Sequence, residues 1–230
     1  MLQRIKEKTE TLTFKNRREA GRQLAKALIK QGYKGENTLV LGIPRGGLVV
    51  ADEVARTLVA NLDVVIVRKL RAPYQPELGI GAVVDGDHTV LNDEMVRSVG
   101  ASRGYLNREI AYQKGESERR LRFYRDDRPA PAVAGKTVIV VDDGIATGYT
   151  FRASLESLRQ RHPDRLVAAA PVAALDSAEM LKAFAEDVVC LLTPVSFYAV
   201  VAWYGKFEQL SDEEAAGILR RSWSTLPLAA

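Results

Sequence analysis

The chain has 230 residues, of which 47% are hydrophobic and 27% are charged. This composition is ordinary for a soluble globular protein, and it excludes disordered, collagen-like and coiled-coil classes. The net charge of +4 is too small for a dedicated nucleic-acid binder, but it suits an anionic small substrate.

The sequence carries no sign of export or of membrane insertion. The single cysteine, Cys190, excludes an internal disulfide and a cysteine-based zinc site. No apolar run reaches the roughly 18 residues that a membrane helix needs. The N-terminal stretch MLQRIKEKTE lacks the apolar core of a signal peptide. We therefore expect a cytoplasmic protein with neither a membrane nor a nucleic-acid partner.

The first part of the chain alternates helical patterns with short apolar runs. Asn16 can cap a helix that Gly32 ends, and the many basic residues of this helix are expected to form a solvated outer face. Residues 38–43 predict a strand, 48–60 a helix and 63–67 a second strand.

The next segment is rich in turn signals. Residues 71–78 contain two prolines, which predict a loop. Residues 79–84 and 88–91 predict two strands joined by the tight turn Asp-Gly-Asp. Residues 92–127 predict a helical segment that breaks near Gly100.

The second half of the chain has the same alternation. Its predicted elements are a strand that includes VIVV from residue 138, a helix at 154–162, a strand at 165–175, a helix at 177–186, a strand at 188–193 and a C-terminal helix at 211–223 that Ser211 caps. Residues 128–136 form a connector rich in proline and alanine. We interpret this connector as a surface crossing within one domain that spans residues 1–230.

The predicted strands are continuously apolar rather than alternating. Such strands are typical of a mostly parallel sheet with helices on both faces, so the predicted fold class is α/β. In these sheets ligands bind beyond the carboxyl ends of the strands, on the loops that lead into helices. The candidate loops are those that begin at Pro44, Arg68, Asp142 and Pro194.

The segment VIVVDDGIATGYT carries the strongest functional signal. A buried strand delivers Asp142 and Asp143, and a small-residue loop, Gly144 to Gly148, leads into a helix that begins near Thr150. Glycines let backbone N–H groups converge on an anion, and the helix N-terminus adds its dipole. The hydroxyls of Thr147 and Thr150 add donors, so the loop predicts a phosphate site that is neither a Walker A loop nor a GxGxxG turn.

The two acids are unusual next to a phosphate, because carboxylates repel it. A ribose 5-phosphate removes the conflict: the phosphate occupies the loop, and the vicinal ribose hydroxyls donate to Asp142 and Asp143. The alternative is an ordinary strand-to-helix turn whose acids only cap the helix.

The segment DDGIATGYT resembles the signature for 5-phosphoribosyl-1-pyrophosphate (PRPP) in type I phosphoribosyltransferases. The resemblance implies that Asp142 and Asp143 contact the ribose hydroxyls, and contact Mg²⁺ through water. It also implies that the 5-phosphate is wrapped by Gly144, Ile145, Ala146, Thr147 and Gly148, with Thr150 just beyond. Together with IPRGG, VRKL, PEL and IGAV, the segment is similar to a bacterial group of predicted phosphoribosyltransferases without an assigned substrate, over most of residues 38–215.

The loop PRGG follows the first core strand. Two glycines allow the backbone to approach an anion closely, and Arg45 supplies a charged fork. In the family, a loop at this place binds pyrophosphate and commonly holds a cis peptide. The resemblance therefore assigns pyrophosphate binding to Pro44, Arg45, Gly46 and Gly47, against the alternative of an ordinary turn.

Arg68 and Lys69 end the next predicted strand. Two cations at the carboxyl end of a strand face the crevice in which a pyrophosphate would lie, so we predict catalytic roles for both. The alternative is a pair of surface cations. The loop 70–79 matches the position of the family's mobile catalytic loop.

An aromatic-rich segment, residues 193–207, follows the last predicted strand. A flat base stacks well on such side chains. The family places a base-contacting aromatic here; Tyr198 matches it best, Phe197 is the neighbouring option, and Val201 stands where the family has glycine. The alternative is that these aromatics form core packing. By resemblance, residues of about 1–35 and 194–230 form a small hood lobe over the site.

The resemblance implies an enzyme of nucleotide metabolism that uses PRPP and Mg²⁺. It would transfer the 5-phosphoribosyl group to a nitrogenous base and release pyrophosphate. One alternative is a PRPP-binding regulatory protein without catalysis, and another is an enzyme of ribose-phosphate phosphorolysis or hydrolysis. A homodimer is an assembly that the sequence leaves open.

Overall fold

The computed structural model describes residues 14–35, 37–126 and 128–225. Its strands are β1 (Thr38–Gly42), β2 (Asn61–Val64), β3 (Val67–Ala72), β4 (Gln75–Val84), β5 (His88–Leu91), β6 (Thr137–Val141), β7 (Arg165–Val172) and β8 (Asp187–Leu192). Its helices are α1 (Arg17–Lys30), α2 (Gly46–Leu58), α3 (Asp93–Ser98), α4 (Arg103–Arg125), α5 (Tyr149–Arg159), α6 (Leu175–Leu181) and α7 (Asp212–Thr225), with a 3₁₀ turn at Val200–Trp203.

A parallel sheet with the strand order β2-β1-β6-β7-β8 forms the centre of the molecule. Alternate strand residues face two apolar clusters. Val40 and Ile139 pack toward α1, α2 and α7, whereas Leu39 and Val138 pack toward α5 and α6. Because helices cover both faces, every residue of β1 is buried, which explains its continuously apolar sequence. The predicted α/β class is confirmed.

Strands β3, β4 and β5 form a separate antiparallel sheet. The predicted strand at 63–67 is therefore wrong, since β2 ends at Val64 and β3 starts at Val67. The N–H of Val65 still donates to Gly42, at 3.1 Å, but the N–H of Ile66 donates to the carboxylate of Asp85, at 2.9 Å. The apolar run 63–67 therefore contributes residues to both the parallel and the antiparallel sheet.

The predicted loop at 71–78 is also wrong, because the segment is the β3–β4 hairpin. Its turn lies at Pro73 and Tyr74, and Tyr74 has a φ of 62°. Arg71 pairs with Gly79 and Ala72 pairs with Gln75, so residues 76–78 bulge out of the ladder. The prolines therefore occupy a turn and a bulge, where a missing N–H breaks no ladder hydrogen bond.

The second hairpin and the helical break agree with the sequence. The turn between β4 and β5 holds Asp85 and Gly86 at positive φ, as a tight hairpin turn requires. Gly100 has a φ of 62° between α3 and α4, and Ser102 caps α4 by accepting from the N–H of Tyr105. The predicted end of this segment, Asp127, lies outside the described residues.

Three predicted boundaries in the second half are shifted. The helix predicted to begin near Thr150 and to include 154–162 is α5; it begins at Tyr149, just after Gly148 with a φ of 73°, but it ends at Arg159. The strand predicted at 165–175 ends at Val172. The helix predicted at 177–186 is α6, and residues 182–184 continue it with hydrogen bonds of the 3₁₀ kind.

Both terminal helices begin at predicted caps. Asn16 Oδ1 accepts from the N–H of Glu19 at the start of α1. At the start of α7, Ser211 and Glu214 exchange hydrogen bonds between side chain and backbone, which is a capping box. Both helices pack on α2, so α1 and α7 lie on the same face of the sheet.

A buried ion pair ties α4 to the edge of the parallel sheet. Arg125, at the end of α4, donates from Nε to Asp63 at 2.9 Å and from Nη2 to the carbonyl of Val64 at 3.0 Å. Its guanidinium also lies 3.9 Å from Asp85. Burial raises the pKa of both Asp63 and Asp85, and Arg125 acts in the opposite direction on each.

We expect Arg125→Met to lower the free energy of unfolding by about 3–5 kcal/mol at pH 7, because it removes the paired cation of the buried Asp63 and leaves Asp85 with Arg161 alone. Loss of the cation raises their folded-state pKa further. The folded state then keeps protons that the unfolded state loses, so stability falls as pH rises above the unfolded pKa. Urea unfolding should therefore show a smaller loss at pH 4 than at pH 7.

The control is Arg119→Met on the same helix, which removes an exposed pair with Glu116 and should change stability little. A similar effect of both variants, or a loss that grows toward acid pH, would contradict the expectation.

Candidate functional site

The loops after β1 and β6 meet at the carboxyl edge of the parallel sheet. These strands pair in register, with Gly42 beside Val141. A Cβ at Gly46 would lie 1.9 Å from Asp143 Oδ2, and a Cβ at Gly47 would lie 2.7 Å from Asp142 Oδ1. The PRGG loop and the two acids therefore form one site, and only glycine fits at these two positions.

The PRGG loop has the backbone that the resemblance implied. The peptide bond between Pro44 and Arg45 is cis, and α2 begins directly after it. Arg45 is exposed, while Gly47 is buried against the acids. Burial raises the pKa of the Asp212 carboxyl, but Tyr124, Arg120 and, with the smallest effect, the positive charge of Arg45 bring it below its usual range.

Asp142 turns its carboxylate back toward its own loop. Oδ1 accepts a hydrogen bond of 2.8 Å from the N–H of Asp143. Burial raises the pKa of the Asp142 carboxyl well above its usual range, and the neighbouring charge of Asp143 raises it further. Arg17 works in the opposite direction.

Asp143 is held from two sides. Its carboxylate accepts a hydrogen bond of 2.6 Å from Arg17 Nε, and its carbonyl accepts one of 2.5 Å from the hydroxyl of Tyr204. The side chains of Arg17 and Asp143 are only 11% and 14% exposed. Burial and the charge of Asp143 raise the pKa of the Tyr204 hydroxyl, so it stays a donor.

The loop 144–148 is fixed by contacts with the next βα unit. Ile145 exchanges backbone hydrogen bonds with Val172 and Ala174, and Ser177 donates to the carbonyl of Ala146 at 2.6 Å. Ala146, Thr147 and Thr150 are exposed, and α5 starts at Tyr149. A rigid loop at a helix N-terminus, with free hydroxyls, can hold an anion.

Arg68 and Lys69 lie apart from this cradle, on β3 of the antiparallel sheet. Arg68 Nε donates to Gln113 on α4 at 3.0 Å, and Lys69 Nζ donates to the carbonyl of Glu77 at 2.7 Å. Both cations are engaged within the β3–β4 hairpin and its helix. The structure therefore brings together the acids and the PRGG loop, but it places these two cations on a different element.

The aromatic segment divides into buried and exposed side chains. Tyr204 is buried, and Phe197, Trp203 and Phe207 are partly buried around it in a cluster that includes Phe14. The alternative of core packing is therefore correct for Tyr204. Tyr198 is 92% exposed, which excludes a core role for it.

The described residues contain no group of three or more His, Cys, Asp or Glu side chains that could hold a metal by itself. No helix within that part of the chain is long and apolar enough to cross a membrane.

Comparison with known proteins places this geometry in a family. The model of the phosphoribosyl transferase domain matches residues 9–204, which is most of the chain. The chain belongs to the phosphoribosyl transferase family. The predicted family is therefore confirmed.

Relatives in this family support the assignment. Two proteins of Mycobacterium tuberculosis, from strains CDC 1551 / Oshkosh and ATCC 25618 / H37Rv, each named "Putative phosphoribosyl transferase", are 41% identical over 209 residues, or 91% of this chain. The chain spans about half (47%) of the length of these relatives. The protein TT1426 from Thermus thermophilus, known from a crystal structure, is 45% identical, with a TM-score of 0.80; the match covers 95% of this chain and 100% of that one.

Two residues at the candidate site were not predicted from the sequence. Arg17 was expected on a solvated helix face, but it is paired with Asp143. The sequence offered one signal, which is that Arg17 directly follows the cap Asn16. Side chains in a helix tilt toward its N-terminus, so a side chain in the first turn can reach beyond the end of the helix. Tyr204 was one of several aromatics in its segment, and nothing in the sequence distinguished its hydroxyl.

We expect Gly46→Ala to lower the free energy of unfolding by about 1–3 kcal/mol, because the new methyl overlaps the Asp143 carboxylate and must disrupt its pair with Arg17. The control is Gly115→Ala within α4, where a Cβ meets nothing within 4 Å. That change should stabilise the chain by about 0.5–1 kcal/mol. Equal stability of both variants in urea would contradict the close approach of the two loops.

Proposed function

We propose that this domain catalyses phosphoribosyl transfer from PRPP, with Mg²⁺, to a nitrogenous base. The observation that carries the proposal is the contact between the acid pair and the PRGG loop, where two glycines stand against two carboxylates. One ligand that carries both ribose hydroxyls and a pyrophosphate would satisfy both loops. In the reaction the bond between ribose C1 and the pyrophosphate oxygen breaks, and C1 bonds to a nitrogen of the base.

Each part of PRPP has a proposed partner. The 5-phosphate takes the loop 144–148, where the exposed Thr147 and the start of α5 provide donors. The ribose hydroxyls donate to Asp142 and Asp143, whose negative charge favours the cationic character of the ribose ring in the transition state.

The pyrophosphate takes the PRGG loop, with the exposed Arg45 as its cation. We further propose that Arg68 and Lys69 act from the β3–β4 hairpin, the segment at the position of the family's mobile loop.

The site suits Mg²⁺ that arrives with the substrate. Mg²⁺ is usually held by one or two carboxylates together with substrate phosphates and waters. The chain offers such a pair in Asp142 and Asp143, and the described residues offer no larger cluster. When bound, Mg²⁺ would neutralise the charge of the leaving pyrophosphate.

The hood is part of the proposal. Backbone hydrogen bonds of 2.8 Å join Phe14 to Trp203 and to Gly205, and another of 3.0 Å joins Lys15 to Lys206. The two ends of the chain would thus form one small lobe of a single domain, beside the site. Residues 1–13 and 226–230 of the predicted hood lie outside the described residues. The proposed reaction belongs to cytoplasmic nucleotide metabolism.

We expect Asp142→Asn and Asp143→Asn each to weaken PRPP binding roughly ten- to a hundredfold, since each removes a charged hydrogen-bond acceptor. Calorimetry with Mg²⁺ and PRPP measures this. The control is Asp164→Asn, an exposed residue just before β7, at the opposite edge of the sheet. Unchanged affinity in both acid variants would refute the ribose assignment.

A panel of bases incubated with PRPP and Mg²⁺, followed by pyrophosphate detection, tests the reaction itself. Binding of PRPP without pyrophosphate release from any base would instead favour the regulatory alternative.

We expect Tyr198→Ala to weaken base or nucleotide binding roughly ten- to a hundredfold, because a base stacked on an aromatic ring gains about 1–3 kcal/mol. The melting temperature should not fall, since the side chain is 92% exposed. Tyr198→Phe keeps the ring face and should retain most of the affinity. If Tyr198→Ala has wild-type nucleotide affinity, Tyr198 does not stack on the base, and Phe197 becomes the candidate for that role.

A further inference from the structure

The guanidinium of Arg17 is fixed by three different groups. Nε donates to Asp143 at 2.6 Å, Nη1 donates to the carbonyl of Glu208 at 2.7 Å, and the guanidinium carbon lies 3.6 Å above the ring of Phe207. An exposed surface arginine has none of these constraints. Only 11% of the Arg17 side chain is exposed, so this residue is a fixed part of the candidate site.

The three partners connect the site to the hood. Asp143 follows β6, whereas Phe207 and Glu208 lie between the 3₁₀ turn and α7. Tyr204, from the same segment, donates to the carbonyl of Asp143. Arg17 on α1 therefore holds the carboxylate of Asp143, and Tyr204, which precedes α7, holds its backbone carbonyl.

The pair also lies directly against the PRGG loop. A Cβ at Gly46 would be 1.9 Å from Asp143 Oδ2 and 2.8 Å from Arg17 Nε. Asp143 Oδ2 lies between Arg17 Nε and the backbone of Gly46, and these two contacts fix the orientation of the carboxylate. A lysine could not make the same contacts. Its ammonium group is not planar, so it cannot stack on the Phe207 ring while it donates to both Asp143 and Glu208.

We propose that Arg17 is a positioning residue, which orients the Asp143 carboxylate for the ribose hydroxyls and offsets its charge beside an anionic ligand. This inference rests on the proposed function. Two adjacent carboxylates next to a ligand with several negative charges repel it, and a fixed cation against one of them reduces that repulsion. Arg17 acts through Asp143, and it sets the affinity for PRPP without touching PRPP.

A double-mutant cycle on PRPP binding tests this role. The variants are Arg17→Gln, Asp143→Asn and their combination, each titrated with PRPP and Mg²⁺ by calorimetry after melting has established that it folds. We expect Arg17→Gln to weaken binding on the order of tenfold, as expected for loss of a buried charged hydrogen bond. In the Asp143→Asn background the same change should cost almost nothing, because the carboxylate is already gone.

Two further variants separate positioning from general stability. Phe207→Leu removes the ring under the guanidinium but leaves Arg17 and Asp143 in place, and it should weaken PRPP binding by a smaller factor. Arg17→Lys keeps the charge without the fork or the stack, and it should recover only part of the affinity. The control is Arg22→Gln on the same helix, which removes a half-exposed ion pair with Glu53 and should bind PRPP normally.

The outcomes distinguish this inference from the proposed function. If the wild-type chain binds no PRPP, the proposed function fails, and this role fails with it. If the wild type binds PRPP and a folded Arg17→Gln variant binds it equally well, only the positioning role is overturned. Equal losses from Arg17→Gln with and without Asp143 would also overturn it. Should Arg17→Gln not fold, the Phe207→Leu and Arg17→Lys titrations decide the question in the same way.

Discussion

Parallel pairing between β1 and β6 is the constraint on which the site depends. With Gly42 beside Val141, the loops that follow both strands leave the sheet at the same level. They then pack so closely that the carboxylates of Asp143 and Asp142 lie where a Cβ at Gly46 and at Gly47 would otherwise be. Glycine at positions 46 and 47 is therefore a packing requirement.

Electrostatics at this junction are unusual for a site that would receive a polyanion. Two adjacent acids lie partly buried, and burial raises the pKa of Asp142. Arg17 pairs with one of them, Asp143, and is itself held by the ring of Phe207 and the carbonyl of Glu208. The cluster of Phe14, Tyr204 and their neighbours thus has a function beyond packing, because it carries the groups that hold Asp143.

The antiparallel sheet is joined to the rest of the molecule by α4, α5 and an ion pair. Arg125 joins it to the parallel sheet through Asp63 and Asp85, and α4 packs along β3. Arg68 and Lys69 belong to this second sheet, and their side chains are engaged there. A catalytic contribution from them would come from the hairpin as a unit, and the paired acids would stay in place on the rigid sheet.

Much of the molecule was determined by local sequence. The continuously apolar runs predicted a parallel sheet covered on both faces, Asn16 and Ser211 fixed two helix starts, and DDGIATG with PRGG identified the two loops that meet. Short-range physics decides these features: periodicity, capping and the need for small residues near a backbone. The sequence did not divide 63–67 between two sheets, nor show that 71–78 is a hairpin, because propensity does not encode which sheet an apolar strand joins. Tertiary structure alone decided that Arg17 meets Asp143, 126 residues away, and that Tyr204 is buried while Tyr198 is exposed. These outcomes depend on where distant segments pack, and burial changes the energy of a charge or a hydroxyl far more than its local sequence does.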